Sequence, residues 1–418
     1  MRSPLRHVWR LLPRRSRRAF FIKAYDLAVR NFPPPPLALP PVAVAGVFRS
    51  ASGLGESARL NLTALQNAGI ECQAADLSAS FLGTEDLVWP QPPLTIPVAQ
   101  PGPGTLILHV SGPFVPYALH WLGRPLAEGK RIIGVWHWEL PRLPAEWRVG
   151  CRLVHEVWTP SKFVADAVRQ EFTGPVRIIP HAVSVPENLD PTPWREMAGH
   201  GFLAVTMFNM ASGFERKNPL AAIRAFRRAF GDDPKTCLIV KMMHGGVWPE
   251  GLRQLQSAIG GARNIRLITQ TLPRQEVFSL LAAADVVLSL HRSEGFGLLA
   301  AEAMLLGKPV IVSGWSSTAE FLNDENGCPV PCRLIPAEDP QGNYHFPDQI
   351  WADPDIHAAA DWLRRLREKP ELRRAIGNRA REDARQFSNE VYASHLHDAL
   401  SLPNASSQAP AGKGLHND

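Results

Sequence analysis

Short runs of β-branched and aliphatic residues alternate with longer stretches whose apolar positions recur at helical spacing, from residue 42 to about residue 400. In the first half this pattern predicts strands over Val42–Phe48, Thr105–Val110, Arg131–Trp136, Glu156–Thr159 and Val176–Ile179. In the second half it predicts strands over Leu203–Phe208, Cys237–Met242, Ile265–Ile268, Val286–Leu290 and Val310–Val312. Between them the helical pattern fits Ala58–Ala68, Pro219–Phe230, Arg274–Ala284 and Leu298–Leu306. Strand–helix alternation of this kind builds parallel sheets. Two such sets, joined near residues 186–201, predict an α/β protein of two Rossmann-like, doubly wound domains, over 42–195 and 196–385. Residues 358–384 are charged and helix-forming, and 386–402 carry a further amphipathic helix, Asn389–Leu400. A basic arm and Pro-rich linker fill 1–41, and the small, polar residues 403–418 predict a disordered tail.

Ligands of open parallel sheets bind beyond the carboxyl ends of the strands, so the residues that follow each strand carry the chemistry. The strongest segment is Val287–Val312, VLSLHRSEGFGLLAAEAMLLGKPVIV. A strand enters a turn holding Ser293, Glu294, Gly295 and Gly297, and a helix then runs from Leu298 to a stop at Gly307 and Pro309. The loop and first helical amides, from Gly295 and Phe296 through Gly297, Leu298 and Leu299, face an anion at the positive end of the helix. Glu302, about one turn in, can accept from two vicinal ribose hydroxyls. Glu294 can reach the hydroxyls of a sugar beyond a diphosphate. Two carboxylates would repel the phosphates themselves. A strand–turn–helix with two solvated acids is the plain alternative.

This string resembles retaining glycosyltransferase family 4, of the GT-B fold, almost position by position, with Glu294 and Glu302 as its E-x7-E element. The resemblance covers roughly 42–400 and is stronger in the second half. It implies two Rossmann-like domains facing a central cleft, Glu294 on the transferred sugar, Glu302 on the ribose, and transfer with retention of configuration. It also implies a last helix that crosses back to the first domain.

A second segment, FNMASGFERKNP (Phe208–Pro219), places Arg216 and Lys217 just before a helix capped by Asn218 and opened by Pro219. Cations there would stabilise a departing nucleoside diphosphate. Family 4 enzymes have a similar basic pair, with Lys217 the better match and Arg216 either its lesser partner or a solvated surface residue. Many relatives place an Arg shortly after the strand, where this chain has Asn209, Ala211 and Ser212; Lys241, in LIVKM, could supply that cation.

In the first half, Gly53 and Gly55 follow the first strand and precede a helix expected to begin near Glu56 or Ser57. The third glycine of a dinucleotide fingerprint is replaced by Ala58, which argues against a nicotinamide dehydrogenase. His137 ends one strand and matches by resemblance the His that the family places near the donor sugar; His109 ends another and is a second cleft candidate. Glu139 is a candidate for the acceptor site or a surface or capping residue. Trp136, Trp138 and Trp147 could stack on a sugar face or pack in the core.

Composition narrows the class further. The chain has 418 residues, 45% hydrophobic and 20% charged, with 39 Pro, five Cys and a net charge of +6. That is the balance of a globular protein without a disulfide framework or a zinc site. No stretch of eighteen apolar residues is present, and no signal peptide follows the basic start, so a cytoplasmic protein is expected. Arg2, Arg6, Arg10, Arg14, Arg15, Arg17, Arg18, Lys23 and Arg30 make the arm strongly basic. It suits an anionic membrane surface or a solvated extension; no nucleic-acid motif accompanies it. No Asp-x-Asp follows any of the strands expected above, so no metal is expected. The resemblance implies a nucleoside diphosphate sugar as co-substrate, and the basic arm on such an enzyme suggests, by association, a growing polysaccharide or lipid-linked oligosaccharide as acceptor. The rival readings are a nucleotide-sugar epimerase of the same fold and a non-catalytic nucleotide-sugar-binding protein.

Overall fold

The computed structural model describes Phe20, Lys23, Ala24 and residues 40–50, 52–81 and 98–400. The basic arm, most of the Pro-rich linker and the tail after residue 400 lie outside the described residues.

The first half contains strands β1 (Val42–Gly46), β2 (Cys72–Asp76), β3 (Gly104–His109), β4 (Lys130–Val135), β5 (Glu156–Thr159) and β6 (Val176–Ile178). They form one parallel sheet in the order β2-β1-β3-β4-β5-β6. The second half contains β7 (Phe202–Asn209), β8 (Thr236–Met243), β9 (Ile265–Ile268), β10 (Val286–Ser289), β11 (Val310–Ser313) and β12 (Cys328–Val330). These form a second parallel sheet in the order β12-β11-β10-β7-β8-β9. Strand order reverses between β1 and β3 in one half and between β7 and β10 in the other. Each reversal opens a crevice at the carboxyl ends, where chains leave for opposite faces of the sheet.

The main helices are α1 (Gly53–Asn67), α2 (Val115–Leu122), α3 (Lys162–Arg169), α4 (Pro219–Phe230), α5 (Pro249–Ile259), α6 (Arg274–Ala283), α7 (Leu298–Leu305), α8 (Ile356–Glu368), α9 (Pro370–Asp383) and α10 (Asn389–Leu400). Their starts follow from capping chemistry. Ser161 Oγ accepts from the Val164 amide at the head of α3, and Asp355 accepts from His357 and Ala358 at the head of α8. The charged segment 358–384 is two helices, because Pro370 has no amide proton with which to continue α8.

Alternate strand residues feed opposite faces of each sheet. Ala43 and Ala45 enter one core cluster while Val42 and Val44 enter another. The second of these clusters contains Tyr392, Leu396, Ala399 and Leu400 of α10, and Asn61 of α1 donates to the Tyr392 hydroxyl at 2.8 Å. The last helix therefore packs on the first sheet. Four strands depart from the sequence expectation. β2 and β12 are short edge strands; β12 tolerates Pro329 because an edge needs fewer ladder bonds. β13 (Cys332–Pro336) and β14 (Ile350–Pro354) form an antiparallel hairpin. Its connecting loop carries Tyr344 into the core of the first half, against Trp138. Among the described residues no helix is long and apolar enough to cross a membrane.

Candidate functional site

The loops that leave β7 and β10 meet at the reversal point of the second sheet. Backbone and side chain bind them together: the Arg292 amide donates to the Arg216 carbonyl at 2.7 Å, and Asn218 Nδ2 to the Leu290 carbonyl at 3.0 Å. This brings Glu294 between two cations. Its Oε1 lies 2.5 Å from Lys217 Nζ and its Oε2 3.0 Å from Arg216 Nη1. Burial alone would raise the carboxyl, yet Lys217 and Arg216 overcome it and hold Glu294 down at about 2. The group is a carboxylate throughout the working pH range.

The two cations differ. Arg216 is 2% exposed, and its guanidinium also donates to the carbonyls of Ser212 and Ser293, with the Tyr344 ring 5.2 Å from its centre. It is no surface residue, and its donors are committed to the protein. Lys217 is partly exposed, and burial draws its ammonium below the usual lysine value.

Gly297 caps α7 with φ of +98°, and a Cβ there would meet the Thr318 methyl at 2.5 Å. Only glycine fits. The first bonds within α7 run from Ala300 and Ala301 to the Gly297 carbonyl, so the amides of Leu298 and Leu299 precede the ladder. Gly295 has a different reason: a Cβ on it would come 3.2 Å from the Trp138 carbonyl, so the glycine lets the two halves touch. Phe296, between these glycines, is buried against Phe321 and Phe387. Ser161 Oγ donates to the Gly295 carbonyl at 2.7 Å, and Glu320 accepts from the Lys162 and Phe163 amides across the same boundary.

The Glu302 carboxylate, the second of the motif, makes no hydrogen bond or ion pair among the described residues. Burial pushes it up to about 7; Arg274 nearby lowers it and Glu56 raises it. Arg274 itself bridges the halves, donating to Glu56 at 2.6 Å and to the Ser184 carbonyl at 2.8 Å. Lys241 is 5% exposed, near the carboxyl end of β8. Its ammonium reaches the Met243 sulfur at 3.5 Å and makes no ion pair among the described residues; burial lowers it. Beside it, His244 Nδ1 lies 2.9 Å from Asn209 Oδ1, one pair across two strand ends that sequence reasoning did not connect.

The first half presents histidines. His109 ends β3 and lies with its Nδ1 2.9 Å from Ser57 Oγ of α1. His137 follows β4, and its Nε2 is 2.7 Å from Nε2 of His181, which follows β6. Burial, then the neighbouring His137, pulls His109 down to about 3; burial pulls His137 to about 4 and His181 well below the ordinary value. All three are neutral. His181 escaped the sequence reading, although the rule that strand ends carry the chemistry, applied to IIPHAV, points to it.

Three expectations change. Gly53 and Gly55 lie within the first turn of α1, which starts three residues early because Ser52 caps it. Gly55 is required by packing, since a Cβ would strike the Ser50 carbonyl at 2.4 Å, whereas a Cβ on Gly53 meets nothing within 4 Å. Trp136, Trp138 and Trp147 are 0%, 5% and 1% exposed and pack against one another, so none offers a face to a sugar. Glu139 accepts from the Tyr344 hydroxyl at 3.0 Å and lies 3.8 Å from Arg216, so its carboxylate ties the halves together. Tyr344 had no local signal in the sequence. Among the described residues no three His, Cys, Asp or Glu side chains converge to hold a metal ion.

The chain is similar to several known proteins. A D-inositol 3-phosphate glycosyltransferase of Saccharomonospora viridis is 30% identical over 155 residues, 36% of this chain and 31% of that protein. Its counterpart in Corynebacterium glutamicum is 29% identical over 207 residues, 47% of this chain and 44% of that protein. The chain thus spans less than half the length of these curated relatives. The crystal structure of Anabaena HepE in complex with UDP-glucose superposes with a TM-score of 0.61 at 15% identity, covering 86% of this chain and 99% of that one, which shows the GT-B fold. The model of the family 4 glycosyltransferases in conflict systems matches residues 160–393. That stretch is more than half of the sequence and holds Lys217, Glu294 and Glu302, and the chain belongs to that family.

Proposed function

We propose that the chain transfers a glycosyl group from a nucleoside diphosphate sugar to an acceptor hydroxyl, with retention of configuration and without a metal ion. The observation that carries this reading is Glu294, kept ionised between Arg216 and Lys217 at the reversal point of the second sheet. The amides at the head of α7, Lys217 and the unpaired Lys241 would meet the diphosphate. Glu302, whose carboxylate has no partner among the described residues, would accept from the ribose hydroxyls. Glu294 and His137 would hold the transferred sugar.

As the bond from the anomeric carbon to the diphosphate oxygen lengthens, negative charge gathers on the leaving group and positive charge on the sugar ring. Fixed cations stabilise the first. The Glu294 carboxylate stabilises the second and, being ionised, gives up no proton. The acceptor oxygen attacks the same face, and its proton passes to an oxygen of the departing diphosphate. Cleft closure supplies positioning.

A nucleotide has to bind the folded chain for any of this to hold. Thermal unfolding with UDP, GDP, ADP and their sugars is expected to show a raised midpoint for one base. Turnover of the matching sugar nucleotide is expected to survive excess chelator; activity lost on chelation and restored by manganese would remove metal independence. Binding without turnover on glycan or lipid-linked acceptors would leave a nucleotide-sugar sensor. The basic arm is the segment we propose to rest on anionic membrane; flotation of the full chain with vesicles containing anionic lipid, compared with a chain lacking residues 1–41, tests it.

A further inference from the structure

His137 and His181 do not face the cleft as independent groups. Their rings lie end to end and nearly parallel, with centroids 4.9 Å apart and 16° between planes, and Nε2 lies 2.7 Å from Nε2. Two neutral imidazoles share such a contact only when one carries the Nε2 proton and the other a bare Nε2. Each neutral ring has one N–H. The ring that keeps its proton on Nε2 therefore has a bare Nδ1, and its partner carries Nδ1–H. Both Nδ1 atoms are buried and have no hydrogen-bond partner among the described residues. The pair thus offers one donor and one acceptor at its outer nitrogens, in either of two arrangements that differ by two protons, the one in the Nε2 contact and the one on the outer Nδ1. A sugar hydroxyl both donates and accepts, so it can complete either arrangement.

His181 has a second neighbour. Its ring meets Phe296 edge to face, with centroids 5.1 Å apart and 86° between planes. Phe296 stands two residues after Glu294, in the loop of the opposite half. His181 is 3% exposed and lies between the two elements that would hold the transferred sugar.

We propose that His181 is a positioning residue: its bond to His137 Nε2 leaves Nδ1 as the one nitrogen of His137 available to a donor-sugar hydroxyl, and its contact with Phe296 seats that nitrogen only when the halves are closed. This rests on the proposed transfer reaction. His181 itself need not touch the sugar.

The test is a double-mutant cycle together with a spectrum that needs no substrate. His181→Ala is expected to lower kcat/KM for the sugar nucleotide about 10- to 100-fold. The affinity for the free nucleoside diphosphate should stay within about twofold, because that ligand ends before the sugar. His181→Gln, whose amide can take the place of Nε2, is expected to recover most of the loss. His137→Ala should cost about as much as His181→Ala, and the double variant little more than either. Losses that simply add would overturn the proposal. Independently, nitrogen-15 spectra of the histidine rings in the full chain are expected to show both rings neutral, with a coupling across the shared Nε2 contact that vanishes in His181→Gln. Two rings that titrate separately near the ordinary histidine value would overturn it as well. If no sugar nucleotide is bound or turned over, the transfer reaction falls, while the spectrum still decides whether the imidazoles act as a pair.

Discussion

The two walls of the cleft are built on the same kind of sheet and carry opposite electrostatics. The second half concentrates ionised groups: Glu294 held at about 2, Arg216 and Lys217 against it, and Lys241 without an anion. The first half offers imidazoles that burial keeps neutral, His109 at about 3 and His137 at about 4. Charge in a low-dielectric site is tolerated where a partner of opposite sign completes it. A wall of buried cations suits a diphosphate, and a wall of neutral donors and acceptors suits sugar hydroxyls. The contrast teaches which part of one ligand each half would face.

The contrast breaks hardest at Glu294. Glu294→Gln is expected to lower turnover about 10²–10³-fold. Glu294→Ala should also cost about 3–5 kcal/mol of stability, read from denaturant unfolding, because it leaves a buried Arg216 without its carboxylate. Near-normal turnover in Glu294→Gln would remove the carboxylate from the mechanism.

Lys241 sharpens the comparison through a change of sign. An unpaired buried ammonium costs folding energy, so Lys241→Met is expected to raise the melting temperature of the free protein. The same substitution should weaken nucleotide binding about tenfold, or about 1.4 kcal/mol. Calorimetry with and without nucleotide separates the two effects; a stabilised protein with unchanged affinity would leave Lys241 outside the diphosphate site.

A comparable effect should follow pH. Glu302 titrates at about 7 in the folded protein, and its ionised form accepts the ribose hydroxyls, so binding releases the proton. Nucleotide affinity should therefore rise as pH rises, by about tenfold from pH 6 to pH 8, and level off above the Glu302 value. Glu302→Gln, unable to ionise, is expected to lose this dependence. A profile that falls with rising pH would count against ribose contact at this residue.

Smaller effects lie in the scaffold. Gly297→Ala meets both a positive φ and the Thr318 methyl, and about 1–3 kcal/mol of destabilisation is expected. Tyr344→Phe removes only the hydroxyl on Glu139, for about 1 kcal/mol. Both are measurable by denaturant unfolding.

The sequence by itself determined the two parallel sheets, most of their strands, the last helix, and the turn holding Glu294 and Glu302. These are legible because they are local: strand periodicity, a glycine turn, a cap and a helix stop lie within a few residues of one another. The short edge strands and the hairpin were harder to read, since β12 carries a proline and the hairpin has no parallel partner to dictate its pattern. The tertiary structure alone decided what each site residue faces. It paired Arg216 with Glu294 across 78 positions, His137 with His181 across 44, and Tyr344 with Glu139 across 205. It also buried the three tryptophans and, among the described residues, left Lys241 without an anion and the Glu302 carboxylate without a hydrogen bond. A side chain's charge state and reach follow from its neighbours in space, and the loops that bring those neighbours together are fixed by the packing of two distant sheets.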